Sequence, residues 1–343
     1  MKKKLLLILA VVFALVVMAA CNNRTEPTIT TPSTTPSTEV DITADDTELV
    51  GGEVNIATLR GPSGLSMLLL MDTDTQNDYN VMLMGAPTEI PPLLVRGDID
   101  IAAVPTNLAS NLYNTMDGNI VVLAATTLGV LHIVDTTGTI NSVEDLRGQT
   151  IYASGGGGMP EFILNYILEG NGLTPGVDVI IEFRTEHTEI AGLIDTGIAQ
   201  IAMLPEPFAT TTVNRVDGLE YALDLTEEWN KISPDAGLIM TTVIARREFV
   251  EQNPDLVEIF MMELESSVNF TNNSVEQAAE LAVTYDIIPA APVARLAIPR
   301  SNIVFITGGQ FETYVTNILE VFYNHNPVSI GGQMPNADFF FNN

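Results

Sequence analysis

The chain holds one cysteine, one tryptophan and three histidines in 343 residues, and 14 Lys+Arg against 43 Asp+Glu. A single cysteine excludes a disulfide framework and any zinc site built on several thiolates. The histidines, His132, His187 and His325, are too dispersed to suggest a metal cluster. A formal net charge of −29 leaves no basic footprint for nucleic-acid phosphates. It equally excludes adhesion to anionic lipid through basic residues. Yet 46% of the residues are hydrophobic, too many for a disordered acidic chain. A body of roughly 300 residues is long enough for two lobes, each with its own core.

What little positive charge exists is concentrated at one end. Lys2, Lys3 and Lys4 precede residues 5–20, an uncharged run of 16 residues. That run is short for a membrane span and has the basic-then-apolar layout of an export signal. It ends Met18-Ala19-Ala20-Cys21, which resembles a bacterial lipobox and implies cleavage before Cys21 and a lipid on its sulfur. The mature chain then carries 11 Lys+Arg against 43 Asp+Glu, a formal −32, with Lys231 its only lysine. Residues 22–50 are rich in Thr, Ser, Pro and acids and poor in apolar residues, the composition of a tether.

From residue 51 onward strand-like and helix-like stretches alternate. Strands are expected at 54–59, 79–84 and 99–104, with helices at 65–71 and 88–96 between them. The series recurs, with strands at 149–153, 179–183 and 200–204 and helices at 160–169 and 188–196. Such alternation predicts parallel βαβ units with right-handed crossovers. At an offset of 100, nine of the 22 positions between 88 and 109 match their counterparts. The matches include the Thr88-Glu89 and Thr188-Glu189 pairs, read as helix N-caps. They also include Gly97 and Gly197 at helix ends and Pro105 and Pro205 at strand ends. Two related lobes are therefore expected. Apolar passages at 120–134 and 237–245 fit strands that cross between them, and the C-terminal third reads as helical.

These features together resemble a known family. Ser142-Val143-Glu144-Asp145-Leu146-Arg147-Gly148-Gln149-Thr150-Ile151 is similar to the opening of the second lobe in solute-binding lipoproteins of ABC importers. Gly97-Asp98-Ile99-Asp100-Ile101-Ala102 is similar to that family's strand entry in the first lobe. Ala202-Met203-Leu204-Pro205-Glu206-Pro207 resembles its second-lobe strand end, and 247–254 its helix after the second crossing. Within that family the chain most resembles the nitrate/sulfonate/taurine and thiamine-precursor binding proteins. The resemblance implies an α/β, two-lobe type II periplasmic-binding fold. Lobe 1 is expected over 51–135 and 237–343, and lobe 2 over 136–236. It further implies a monomeric, non-catalytic receptor without cofactor, anchored outside the cell membrane by lipid alone. Its partners would be a small-molecule solute and a membrane permease with its ATPase. A thiamine-precursor (pyrimidine) binder and a sensory binding protein remain alternatives within the same fold. Related pyrimidine synthases carry a Cys-rich iron site, which a body without cysteine cannot build.

Ligands of open α/β sheets bind beyond the carboxyl ends of the strands. In lobe 1 the expected contacts are Arg60, Gly61, Ser63 and Gly64, then Pro87, then Thr106 and Asn107. In lobe 2 they are Ser154, Gly155, Gly156, Gly157, His187 and Glu206. Glycines admit close backbone approach and helix starts favour negative charge, so an anionic or zwitterionic solute is expected, with Arg60 as its ion-pair partner. The serines offer hydroxyls but equally serve as N-caps, and Glu206 is suited to an amine. Phe208 and Trp229 offer faces for stacking, or core packing. The run 155–158 lacks the last glycine of a dinucleotide loop and the Lys-Ser/Thr of a P-loop, so no nucleotide site is expected.

Overall fold

The alternation of apolar and turn residues produces strands β1 (Glu53–Leu59), β2 (Asp78–Met84), β3 (Ile101–Pro105), β4 (Ile120–Thr127), β5 (Leu131–Asp135), β6 (Thr150–Ser154), β7 (Ile180–Arg184), β8 (Ile201–Pro205), β9 (Glu220–Asp224), β10 (Thr241–Arg246) and β11 (Ile303–Ile306). The computed structural model describes residues 49–72 and 74–341. The export signal, Cys21 and nearly all of the tether lie outside the described residues. Within them, no helix is long and apolar enough to cross a membrane.

The strands form two sheets. One runs β2-β1-β3-β10-β4-β11 and the other β7-β6-β8-β5-β9. In each, three parallel strands (β2-β1-β3 and β7-β6-β8) are followed by an antiparallel one, β10 or β5, and then by β4 or β9. The sheets are thus mixed, and their first five positions share one plan. The sequence repeat has its counterpart here. Gly97 and Gly197, at φ 74° and 72°, follow matching helices Ile90–Arg96 and His187–Asp195 in the left-handed region that glycine tolerates.

Several expectations need adjustment. The passage 120–134 divides into β4 in the first sheet and β5 in the second, with Leu128-Gly129-Val130 as the crossing. Gly129 is required there, because a Cβ would stand 2.1 Å from Thr226 Oγ1. In the return passage only Thr241–Arg246 is strand, and the helix Leu225–Ile232 and the turn after it complete the crossing. Thr88 and Thr188 do not cap their helices. The caps are Ala86 and Glu186, one residue before Pro87 and His187, and each threonine sits inside the first turn.

The first sheet is tied by a charge pair at the strand entry. Arg246 Nη2 donates to Asp100 Oδ1 at 2.7 Å, and Asp100 Oδ2 accepts from the Asn55 backbone at 3.0 Å. One residue pair thereby joins β1, β3 and β10. On one face of this sheet Leu65, Leu68, Phe260, Leu264 and Ala278 bury a separate apolar cluster. The other face belongs to a core that also includes Ile133, Ile151 and Met203 of the second sheet. Helix Gly308–His325 bridges them: the Phe322 ring lies 6.1 Å from Phe162 and 6.4 Å from Trp229.

Candidate functional site

The parallel strands of both sheets end in turns, and the turns meet. After β1 the chain enters Gly61 at φ 91°, ψ −144°, a conformation essentially confined to glycine. A Cβ at Gly61 would stand 3.7 Å from Pro207 Cδ, in the turn that follows β8. The carboxyl strand ends of the two lobes thus approach each other at these turns. Ser63, buried in the next turn, shares a hydrogen bond with Thr241 at 3.2 Å. In the same sheet, the hydroxyls of Thr58, Thr127 and Thr242 are buried without hydrogen-bond partners.

On the second-lobe side, β6 ends at Ser154, whose Oγ is hydrogen-bonded to His187 Nδ1. His187 opens the helix after β7, and its ring lies 4.5 Å from that of Phe208, which opens the helix after β8. Burial holds the His187 pKa down at about 4. At neutral pH its imidazole is therefore uncharged, and the group is a polar hydrogen-bonding wall rather than a cation.

Glu206 is 1% exposed. Its Oε1 accepts from the Tyr221 hydroxyl at 2.8 Å and its Oε2 from the Thr210 backbone at 3.3 Å. The Tyr221 hydroxyl also meets Thr210 Oγ1 at 2.7 Å. Burial foremost, with the neighbouring Glu206, pushes the phenol above its ordinary range. His132 Nε2 lies 3.8 Å from Glu206 Oε1, a charge contact too long for a hydrogen bond, so this nitrogen is buried and unpartnered. Burial lowers the His132 pKa, with Asp224 and Glu206 opposing the shift.

The other expected residues fall as follows. Arg60 is half-exposed and pairs with Asp286 at 2.9 Å, so its charge is already matched within the protein. Gly64 is buried tightly, with a Cβ position 3.0 Å from the Leu59 carbonyl. Pro87 opens a short turn after β2. Thr106 is fully buried and donates to the Ile239 carbonyl at 2.8 Å, while Asn107 donates to the Ser329 carbonyl at 3.3 Å. Gly155, Gly156 and Gly157 form an exposed turn, and the Gly157 N–H donates to Glu161 Oε2 at 2.6 Å. Trp229 is core, donating to the Ala236 carbonyl at 2.6 Å. Among the described residues no group of three or more His, Cys, Asp or Glu is arranged for a metal ion.

Sequence reasoning missed the flank of this site. A pocket of about 380 Å3 opens between β9 and the segment Pro299–Asn302, lined by His132, Tyr221, Asp224, Arg300 and Asn302 among others. The Arg300 guanidinium lies over the Tyr221 ring, 4.9 Å from its centroid. No local pattern marks these residues, because Tyr221 and Arg300 come together only through the fold.

Two lobes of one plan, meeting at their strand ends, define the type II periplasmic-binding fold. The chain belongs to the NMT1/THI5-like family, whose model matches residues 85–278. No curated protein matches the chain significantly. Among solved structures, an ABC transporter protein from Parabacteroides distasonis is similar at 21% identity and a TM-score of 0.73, over 84% of this chain and 98% of that one. The periplasmic aliphatic sulphonate binding protein SsuA of Escherichia coli is similar at 15% identity and a TM-score of 0.66, over 82% and 91% of the two chains. The periplasmic nitrate-binding protein NrtA of Synechocystis is similar at 13% identity and a TM-score of 0.55, over 77% and 75%.

Proposed function

We propose that this protein is the solute-binding component of an ABC import system. In this reading it acts without catalysis, as a monomer tethered outside the membrane through lipid on Cys21. It captures a small polar solute between its lobes and presents it to a permease and its ATPase. The observation that carries the reading is the close approach of the Gly61 turn to Pro207, which brings strand ends of both lobes to one place. Polar groups stand at the strand ends of each side: buried Ser63 from lobe 1, and buried Ser154 and Glu206 with half-buried His187 from lobe 2. A ligand touching both sets would favour the closed arrangement over an open one, which is how such a receptor signals occupancy. The sulphonate- and nitrate-binding names of similar structures agree with a small polar solute.

The reading is tested by thermal shift with sulfonates, nitrate, carboxylates, amino acids and pyrimidines, supported by native mass spectrometry for a co-purified solute. A saturable rise in melting temperature is expected, because ligand that binds only the native state stabilises it. Absence of any shift, together with an empty protein by mass, would remove the reading. For the anchor, Cys21→Ser is expected to release the protein from the membrane fraction.

A further inference from the structure

A second pocket, of about 420 Å3, lies at the outer edge of the first sheet. Helix Pro254–Asn273, the turn from β11 into helix Gly308–His325 and the C-terminal segment form its walls. None of the residues expected to touch solute lines it. The C-terminal segment is held by the sheet. The Phe341 N–H donates to the Val122 carbonyl at 3.0 Å, and Phe340 bridges β4 in parallel.

The lining combines aromatic rings with unbalanced negative charge. Phe305, Phe311, Phe340 and Phe341 line the pocket together with Met261 and Met262. The Phe311 and Phe340 rings lie 5.9 Å apart with their planes at 88°, a right-angled aromatic corner. Met262 is 46% exposed, an apolar side chain left open to water. Glu265 and Glu312 stand among these groups, and no Lys, Arg or His lines the pocket to balance them. Among the described residues neither glutamate has an ion-pair or hydrogen-bond partner. The negative faces of aromatic rings attract a cation, and the carboxylates add to that attraction. An anion would be repelled by both glutamates. A primary ammonium would give up water for walls that offer its N–H groups no strong acceptor. A quaternary ammonium carries the charge without any N–H to satisfy.

We propose that this pocket is a second ligand site, taking a small quaternary ammonium compound. Its methylated head occupies the Phe311–Phe340 corner, and Glu265 and Glu312 face its charge. Every lining residue belongs to the segments of lobe 1, so the inference stands independently of the receptor reading.

The test is titration calorimetry of the full chain with choline, in sodium phosphate at low ionic strength. The uncharged tert-butyl analogue of choline and propionate serve as controls. Choline is expected to bind saturably and its uncharged analogue about tenfold more weakly, with no binding of propionate. Glu265→Gln combined with Glu312→Gln should weaken choline about three- to tenfold, and added salt should narrow that difference. Met262→Lys places a cation in the pocket from a half-exposed position and should abolish binding. Circular dichroism checks that the variants fold. Three results would overturn the inference. Choline might as a matter of measurement not bind at all, or bind no better than its uncharged analogue. Or it binds Met262→Lys and the double glutamine variant as tightly as wild type, which would place the cation elsewhere on the protein.

Discussion

Tyr221 donates its phenolic hydrogen to Glu206 Oε1 over 2.8 Å, and this is the shortest hydrogen bond to a carboxyl that is 1% exposed. The bond joins β9 to the turn after β8. Tyr221→Phe leaves that carboxyl with one backbone donor and is expected to destabilise the fold by about 1–3 kcal/mol. Urea unfolding checks it. In a double-mutant cycle with Glu206→Gln the two changes should couple by about 0.5–3 kcal/mol. Additive effects would show that the pair does not interact.

The buried His187 makes a pH prediction. Its pKa is about 4 in the folded protein against 6.5 for the free side chain. The unfolded chain therefore binds more protons between these values, and stability rises with pH across that window. Acidification from 6.5 toward 4 should cost on the order of 1–3 kcal/mol through this group, allowing for its partial exposure. Melting temperature measured against pH should fall less steeply for His187→Gln than for wild type. Parallel curves would mean that His187 is not held neutral by burial.

Asp100 and Arg246 provide a stability test away from the cleft. Asp100→Ala takes the nearest carboxylate from the Arg246 guanidinium, leaving it the Ile99 carbonyl and the more distant Glu248, and removes the acceptor of the Asn55 backbone. A loss of about 3 kcal/mol is expected, the lower end for a broken buried pair, since Arg246 keeps some exposure. Chemical denaturation should register it as a shift in midpoint with an unchanged slope.

Gly61 links backbone conformation to lobe contact. Gly61→Ala places a side chain at φ 91°, ψ −144°, at a strain of about 1–3 kcal/mol. Its methyl also stands at contact distance from Pro207. Lower melting temperature is expected, together with a smaller ligand-induced rise than wild type shows. A variant that melts and responds as wild type does would separate this turn from closure.

Much of the architecture was legible because its signals are local. Residues Gly97 and Gly197 end helices through positive φ, and the apolar runs at 99–104 and 200–204 are too short for helices between such stops. The shared strand order is foreshadowed by the 100-residue offset. Non-local facts were not legible. Strands β9 and β11 are edge strands whose identity depends on partners far along the chain. The break at Gly129 is set by Thr226, almost a hundred residues away. The site follows the same rule. Ser154 and His187 could be placed at strand ends, but their hydrogen bond depends on β6 and β7 pairing. Arg60 looked like the free cation because Asp286, its partner, is invisible to any local pattern, and Arg300 was passed over for the complementary reason.

The apolar core beneath helix Gly308–His325 has a thermodynamic consequence. Phe322 packs with Phe162 and Trp229, and one continuous cluster includes side chains from both sheets. Neither lobe can melt on that side without exposing the other's interior to water. Heat should therefore dissolve the two lobes in a single cooperative event, with calorimetric and van't Hoff enthalpies in agreement, even though the chain between them crosses more than once.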